Sequence, residues 1–226
     1  MGRAEQTPLE ETLEALDTLV RTGKVRYLGV SNYGGWQLMK ALAVSDAHNY
    51  QRFVSNQIYY SLESRDSEYD LIPASIDQGL GVMVWSPLAG GLLTGKYRRS
   101  EKAPEGTRRV DERWQEPPVR DPDRLYDTVE VLVGVAEGRG VSPAQVALAY
   151  LLRKPGVTSL VIGARKDDQL ADNLGVADLT LNDEEFAALD KISRPELIYP
   201  YWHQAHFAVD RLGPGDHALL DQYVAA

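Results

Sequence analysis

Short apolar segments alternate with amphipathic segments along most of this chain, and this alternation is the feature that most restricts its fold. Four of the apolar segments hold few charged residues, which is typical of strands buried on both faces of a parallel sheet. The predicted strands lie at Val25–Val30, Phe53–Ile58, Gly81–Trp85 and Val157–Ile162. Because a helical segment separates each strand from the next, the pattern predicts right-handed βαβ units and an α/β fold.

The helical segments carry recognisable end signals. The first is predicted to begin after the cap Thr7, with Pro8 at its first position and Glu10 completing a capping box, and to end at Gly23. The other predicted helices start at the caps Ser67, Ser142 and Asn182, or span residues 36–44, 123–139 and 166–176. No G-x-G-x-x-G motif follows any strand, which argues against a Rossmann domain.

Two stretches lack this regular pattern. Gly90–Asp123 is rich in Gly, Pro, Arg and Glu and is far longer than the roughly 2–6 residues of a usual βα loop, so it is interpreted as a functional or mobile loop. Residues 194–226 are predicted to form a loop and a short helix that wrap the surface. The chain is therefore divided into a partial barrel at 1–193 and a tail at 194–226.

Composition excludes several classes of function. The 33 acidic and 24 basic residues give a net charge of −9, which is unfavourable for binding nucleic acid. No apolar run approaches the ~20 residues of a membrane span, and the first residues resemble no signal peptide. The absence of cysteine excludes a thiol nucleophile and a Cys-ligated zinc site. We therefore expect a cytoplasmic protein that binds no metal, membrane or nucleic acid.

Polar, aromatic and Gly-rich residues follow all four predicted strands, at the sheet edge where parallel α/β folds bind ligands. Amide side chains suit a carboxamide, an indole ring offers a stacking surface, and glycines and cations suit phosphates. These strand ends are Ser31-Asn32, Asn56-Gln57, Trp85 to Gly91, and Gly163 to Lys166. Together they predict a nucleotide site with a nicotinamide-like ring at one end and a phosphate at the other.

Each of these residues alone has a simpler explanation. Asn32 is typical of a turn, Gln57 could satisfy a buried backbone group, and Trp85 could belong to the core. Their occurrence at four successive strand ends is what favours a binding site. An isomerase or aldolase barrel that binds phosphate is an alternative, but it would need a catalytic Lys or Glu at a strand end, and none of the four strands presents one.

The segments GKVRYLGVSN, NQIYYSLESR, VWSPLAGGLLTGKY, VSPAQVALAYLL and IGARKDDQLADNL resemble the second half of the aldo-keto reductase family in order and spacing. The resemblance runs from about Thr7 to Leu181 and is strongest to the bacterial branch related to potassium-channel β subunits and aryl-alcohol dehydrogenases. It implies the C-terminal part of a (β/α)8 TIM barrel, with four parallel strands that correspond to strands five to eight. It also implies NADPH as cofactor, bound without a Rossmann motif.

The resemblance assigns cofactor contacts to individual residues. Ser31, Asn32 and Gln57 would bind the nicotinamide carboxamide, and Trp85 would stack on the ring. The pyrophosphate would be followed by Ser86, Leu88, Gly90, Leu92 and Lys96, and the adenosine end would be held by Gly163, Arg165, Gln169 and Asn173. Arg165, together with Lys166, would favour the 2′-phosphate of NADPH over the free hydroxyl of NADH.

The family's catalytic Asp, Tyr, Lys and His lie in the half of the barrel that this chain does not resemble. No catalytic residue is therefore predicted, and the chain, interpreted as N-terminally truncated, is expected to be inactive alone. An intact relative would reduce a small-molecule carbonyl. The alternative is a non-catalytic module that binds NADP(H) or self-associates through the exposed strand edges at Val25–Val30 and Val157–Ile162.

Overall fold

The sheet in this computed structural model, which describes residues 7–99 and 118–224, has four parallel strands in the order β1-β2-β3-β4. The strands are β1 at Leu28–Ser31, β2 at Phe53–Tyr59, β3 at Gly81–Trp85 and β4 at Val157–Val161. The predicted parallel α/β fold is confirmed, as part of a (β/α)8 barrel. Residues 25–27 stay outside β1, and Ile162 stays outside β4.

Helices connect and follow the strands. They are α1 at Leu9–Arg21, α2 at Gly35–His48, α3 at Leu71–Asp77, α4 at Pro122–Arg139, α5 at Pro143–Arg153, α6 at Asp167–Leu174, α7 at Asp183–Ile192, α8 at Tyr201–Phe207 and α9 at Pro214–Val224. Within the two described ranges, none of them is both long and apolar enough to cross a bilayer. Of the predicted long loop, Ala89–Thr94 forms a short 3-10 helix, and residues 100–117 lie outside the described residues.

Two of the predicted helix caps are wrong. Pro8, not Thr7, is the N-cap residue of α1, and no side chain caps that helix. Ser67 lies in a separate 3-10 helix, and its hydroxyl donates to the Tyr59 carbonyl at 2.7 Å, so α3 begins later, at Leu71. In both cases a serine or threonine had the right sequence spacing, but the helix begins later in the chain than that spacing predicts.

The other two predicted caps are present. The Ser142 hydroxyl accepts from the Gln145 backbone N–H at 3.1 Å at the start of α5. Asn182 and Glu185 form a reciprocal capping box at α7, with bonds of 2.8 and 2.9 Å. The Gln145 side chain does not complete a box, because its amide donates to Asp172 instead.

The C-terminal tail holds two helices rather than the one predicted. Leu219 and Leu220 of α9 are buried with Ala205 of α8, in a small cluster separate from the main core. The backbone of α9 comes so near α3 that a Cβ on Gly215 would lie 2.5 Å from the Pro73 carbonyl oxygen. This close packing makes α9 an integral layer over α3.

The two faces of the sheet differ in character. Alternate residues such as Val82 and Val84 are fully buried and belong to the same core cluster as Leu132 of α4 and Leu151 of α5. The opposite face carries several small or polar residues, among them Gly29, Ser31, Gln57 and Ser159, together with the larger Met83 and Trp85 of β3. This alternation fits strands whose second face is turned towards the inside of a barrel.

A buried ionic network joins the loop after β2 to α5 and α7. The Arg65 guanidinium donates twice to the Glu68 carboxylate, at 2.8 and 2.9 Å, and lies 3.0 Å from Asp190. The Lys154 ammonium lies 3.1 Å from Glu68 and 3.2 Å from Asp190. Two cations and two anions are thus neutralised inside the protein, and the Tyr60 and Tyr150 hydroxyls donate to the two carboxylates.

This network predicts a loss of stability in acid. Burial alone would raise the pKa of Glu68, but Arg65 and Lys154 outweigh it and hold this pKa below its ordinary value of 4.5. In acid the unfolded chain therefore binds more protons than the folded one. We expect Glu68 to make its full contribution to the free energy of unfolding above about pH 5 and to lose this contribution at lower pH. Urea titrations at several pH values would measure this slope. An equal acid slope in Glu68→Gln would contradict the assignment.

Candidate functional site

A cleft of about 940 Å³ opens at the carboxyl ends of β3 and β4. Its walls are the loops that follow these two strands, together with the start of α5 and one face of α6 from Gln169 to Asn173. Nine of the thirteen predicted cofactor residues line it: Trp85, Ser86, Leu88, Gly90, Lys96, Gly163, Arg165, Gln169 and Asn173. Residues from two strand ends therefore meet at one surface, as the strand-end argument predicts.

The loop after β3 turns through several left-handed residues. Ser86 has φ of 51° and Gly90 of 64°, and the Ser86 hydroxyl accepts from the Gly90 backbone N–H at 3.2 Å. A Cβ on Gly91, whose φ is 98°, would lie 2.9 Å from the Lys96 ammonium nitrogen. The glycine therefore lets the Lys96 side chain fold back across the loop at the cleft.

The cleft has an excess of positive charge. Lys96, Arg165 and Lys166 line it, and none of them forms an ion pair within residues 7–99 and 118–224. The Asp172 carboxylate also lines the cleft, but it is engaged by the Ser142 hydroxyl at 2.6 Å and the Gln145 amide at 3.1 Å. In a chain of net charge −9, three cations without a carboxylate partner favour an anionic ligand.

Side chains from the ends of β1, β2 and β3 meet beside this cleft. The Trp85 indole N–H donates to the Asn32 side-chain oxygen at 3.0 Å, and the Asn32 backbone N–H donates to the Gln57 carbonyl at 3.3 Å. The Trp85 ring also packs against Tyr59, with ring centroids 4.9 Å apart. Ser31 pairs with Gln57 in the strand register. These contacts hold the indole in place and occupy one side-chain atom of Asn32.

The four remaining predicted residues lie outside the large cleft. Ser31, Asn32 and Gln57 are displaced towards β1, and Asn32 lines a smaller cavity of about 330 Å³ that also contains Tyr59. Leu92 is buried at 5% exposure in the main core, so its side chain does not reach the cleft. The Leu92 side chain therefore packs in the core, and the predicted position of this residue along the pyrophosphate stays a prediction.

The far end of the cleft is formed by the start of α6. The Arg165 backbone N–H donates to the Gln169 side-chain oxygen at 3.1 Å, which orders the turn after β4. Gln169 and Asn173 are four residues apart and so share one face of the helix. No heavy atom lies within 4 Å of a Cβ position at Gly163, so the cleft is open at this point.

Some residues of the cleft were not predicted as site residues. Thr94, Ser142 and Asp172 line it. Ser142 had a signal in the sequence, but that signal predicted only its role as the cap of α5. Nothing in the local pattern distinguishes Asp172 from the other acidic residues of α6.

The fold and the cleft define a barrel-type α/β protein with a positively charged cleft at its strand ends. The model of the aldo/keto reductase family matches residues 4–194, and the chain belongs to this family. The family predicted from the sequence segments is thereby confirmed.

Several curated relatives resemble this chain. It is 38% identical over 187 residues to the uncharacterized oxidoreductase YrpG of Bacillus subtilis (strain 168), covering 83% of this chain and 55% of that protein. Protein tas of Escherichia coli (strain K12) is 33% identical over 198 residues, with 88% and 56% covered. A putative voltage-gated potassium channel subunit beta of Schizosaccharomyces pombe is 33% identical over 174 residues, with 74% and 49% covered. The chain thus spans about half the length of these relatives.

Proposed function

We propose that this chain is the NADPH-binding part of an aldo/keto reductase that converts a small-molecule carbonyl to an alcohol. The observation that carries the proposal is the cleft, in which Lys96, Arg165 and Lys166 have no carboxylate partner within residues 7–99 and 118–224. Three phosphate groups would supply the missing negative charge. When bound, NADPH would supply the hydride for carbonyl reduction.

In this proposal the cleft binds the cofactor in an extended form. Trp85, fixed by its bond to Asn32, offers a partly exposed indole face for the nicotinamide ring. The Lys96 ammonium, folded over Gly91, is suited to the pyrophosphate. Arg165 can donate two parallel hydrogen bonds to a phosphate monoester, which favours the 2′-phosphate of NADPH over the hydroxyl of NADH.

We also propose that this chain alone binds NADPH without reducing carbonyls. The segments that resemble the family include no counterpart of its catalytic Asp, Tyr, Lys and His. Incubation with NADPH and a reactive aldehyde should give no oxidation of NADPH above a blank without protein. Turnover that Trp85→Ala abolishes would contradict this part of the proposal and favour a catalytic group within the chain.

The assignment of Arg165 is tested by comparing the two cofactors. We expect Arg165→Ala to weaken NADPH binding about tenfold or more and NADH binding by less than about twofold, because only NADPH carries the 2′-phosphate. Lys96→Ala should weaken both cofactors equally, since both share the pyrophosphate. Fluorescence titration of each cofactor measures these changes.

A matched control is available on α2. Lys40 is an exposed cation that does not line the cleft, so Lys40→Ala should leave both affinities unchanged. An equal loss of NADPH and NADH affinity in Arg165→Ala would contradict the 2′-phosphate assignment. A wild-type chain that binds neither cofactor would overturn the proposed function itself.

A further inference from the structure

Tyr59, the last residue of β2, lies directly beside Trp85, the last residue of β3. The two residues are partners in the parallel register, and their ring centroids are 4.9 Å apart with the ring planes at 35° to each other. Trp85 lines the cleft, whereas Tyr59 lines the smaller cavity and not the cleft. Tyr59 therefore contacts the indole from the side that faces away from the cleft.

The Tyr59 side chain is held at its hydroxyl end, and its backbone is held as well. The hydroxyl donates to the Glu63 carboxylate at 2.9 Å and lies 3.3 Å from the Ser61 hydroxyl oxygen. The Tyr59 backbone carbonyl accepts from the Ser67 hydroxyl at 2.7 Å. Glu63 and Ser67 are only 9% and 7% exposed, so little water competes for these bonds. A tyrosine held at both of these points keeps its ring in one orientation.

The loop that carries Glu63 is tied to the protein core. The Ser61 backbone N–H donates to the Ser64 carbonyl at 3.1 Å, and the Ser64 backbone N–H donates to the Ser61 hydroxyl at 3.2 Å. These two bonds close the turn around Glu63. Arg65, which follows this turn, belongs to the buried ionic network with Glu68. The acceptor of the Tyr59 hydroxyl is therefore fixed by the same loop that anchors the network.

We propose that Tyr59 is a positioning residue, which holds the Trp85 indole in the orientation in which the nicotinamide ring of NADPH stacks on it. This inference rests on the proposed function and adds a residue that does not itself line the cleft. The bond from the indole N–H to Asn32 holds one edge of the indole, but a hydrogen bond at one edge does not fix the plane of a ring. The Tyr59 ring fixes the plane from the side away from the cleft and leaves the other face open.

The contact should affect only the nicotinamide end of the cofactor. An aromatic side chain that is already ordered loses little freedom when a ligand ring stacks on it, so its order in the free protein improves affinity. Trp85 lies at one end of the cleft, and Arg165 and Gln169 lie at the other. A ligand that contains only the adenosine half of NADPH should therefore not depend on Tyr59.

Two ligands separate these ends. Adenosine 2′,5′-bisphosphate carries the adenosine and the 2′-phosphate of NADPH but no nicotinamide ring. We expect Tyr59→Leu to weaken NADPH binding about threefold to tenfold, which is the contribution of one aromatic pair, and to change the affinity for the bisphosphate by less than about twofold. Isothermal titration calorimetry measures both affinities.

Conservative variants and a matched control refine this comparison. Tyr59→Phe keeps the ring but loses the bond to Glu63, so its NADPH affinity should lie between those of the wild type and Tyr59→Leu. Glu63→Gln should bind NADPH like the wild type, because an amide oxygen still accepts from the Tyr59 hydroxyl. Tyr199→Leu is the control: Tyr199 is an exposed tyrosine beside Trp202, with ring centroids 6.1 Å apart, and lines neither cavity. It should leave both affinities unchanged.

A measurement without cofactor tests the positioning of the indole directly. The sequence has four tryptophans, so the Trp85 indole N–H signal in nitrogen-15 NMR spectra is assigned by its loss in Trp85→Phe. We expect exchange of this N–H with water to become at least about threefold faster in Tyr59→Leu, because the freed indole opens its bond to Asn32 more often. The same signal should be unchanged in Tyr199→Leu.

Three results in Tyr59→Leu would overturn the inference. Unchanged indole exchange would show that Asn32 and the strand backbone fix the indole without Tyr59. Unchanged NADPH affinity would show that the orientation of the indole does not matter for the cofactor. An equal loss of affinity for both ligands would show that Tyr59 supports the whole cleft. A wild-type chain that binds neither ligand would instead refute the proposed function, and faster indole exchange in Tyr59→Leu would still show that Tyr59 holds the indole.

Discussion

Glu68→Ala is expected to lower the free energy of unfolding by about 3–5 kcal/mol, the usual cost of removing one partner from a buried ion pair. The change leaves the buried Arg65 guanidinium and Lys154 ammonium to share the single carboxylate of Asp190. It also removes the acceptor of the Tyr60 hydroxyl. Because domains of this kind are stable by only about 5–15 kcal/mol, such a loss brings the protein close to unfolding at room temperature.

Urea unfolding followed by circular dichroism measures this loss. Glu130→Ala is the matched control, because its carboxylate pairs with Arg98 at the surface, and surface ion pairs contribute about 0–1 kcal/mol. Both variants should be compared at one protein concentration, since self-association would make the midpoint depend on concentration. A loss below about 1 kcal/mol for Glu68→Ala would contradict this prediction. It would show that water screens these charges as it does at the protein surface.

The parts of the fold that a short stretch of sequence determines could be predicted. A buried parallel strand needs only a short run of mostly apolar residues, so all four strands were found, β3 with its exact bounds and the others with errors of at most three residues at an end. The Asn182 cap needs only a partner three residues away and was also predicted correctly. The cap at Ser67 was wrong because capping requires an extended backbone at the cap, whereas Ser67 lies in a 3-10 helix. The cap at Thr7 was wrong because α1 begins one residue later than this cap requires.

The tail shows why longer-range contacts were missed. Leu219 and Leu220 form one side of a short helix whose partners are Ala205 and the backbone of α3. A helix of this length is marginal alone and is stabilised by packing against the rest of the protein. The sequence of residues 194–226 carries little periodic signal, so only the contacts reveal the second helix.

In the candidate site, too, features set by local sequence were predicted and features set by long-range contacts were missed. Residues at or shortly after the end of a strand, such as Trp85 and Arg165, were predicted to lie at this edge of the sheet because the end of a strand fixes where they lie. Leu92, seven residues beyond β3, was also predicted to follow the pyrophosphate, and the intervening turn directs its side chain into the core. Arg65 and Asp190 are 125 residues apart, so no local pattern distinguishes them from charged residues on the surface.

Gly215→Ala is expected to cost about 1–3 kcal/mol and to loosen α9 from α3. The added Cβ would lie 2.5 Å from the Pro73 carbonyl oxygen, a backbone atom that cannot rotate away, so the two helices must separate. Hydrogen exchange of residues 214–224 should become faster, because these amides are protected by the packing of α9. Gly213→Ala is the control, since its nearest atom is a side-chain oxygen at an ordinary 3.7 Å.

Moving α9 away from α3 should also expose the buried ionic network to water. Gln222 of α9 accepts a hydrogen bond from Arg65 at 3.1 Å, and its own amide donates to Glu68 at 3.4 Å, so α9 covers one side of the buried charges. When α9 moves away, water reaches Arg65 and Glu68, and the penalty for leaving a charge unpaired there falls. Glu68→Ala should therefore cost less in the Gly215→Ala background than in the wild type, and the two losses should sum to more than that of the double variant. Strict additivity in urea unfolding would show that α9 does not shield the network.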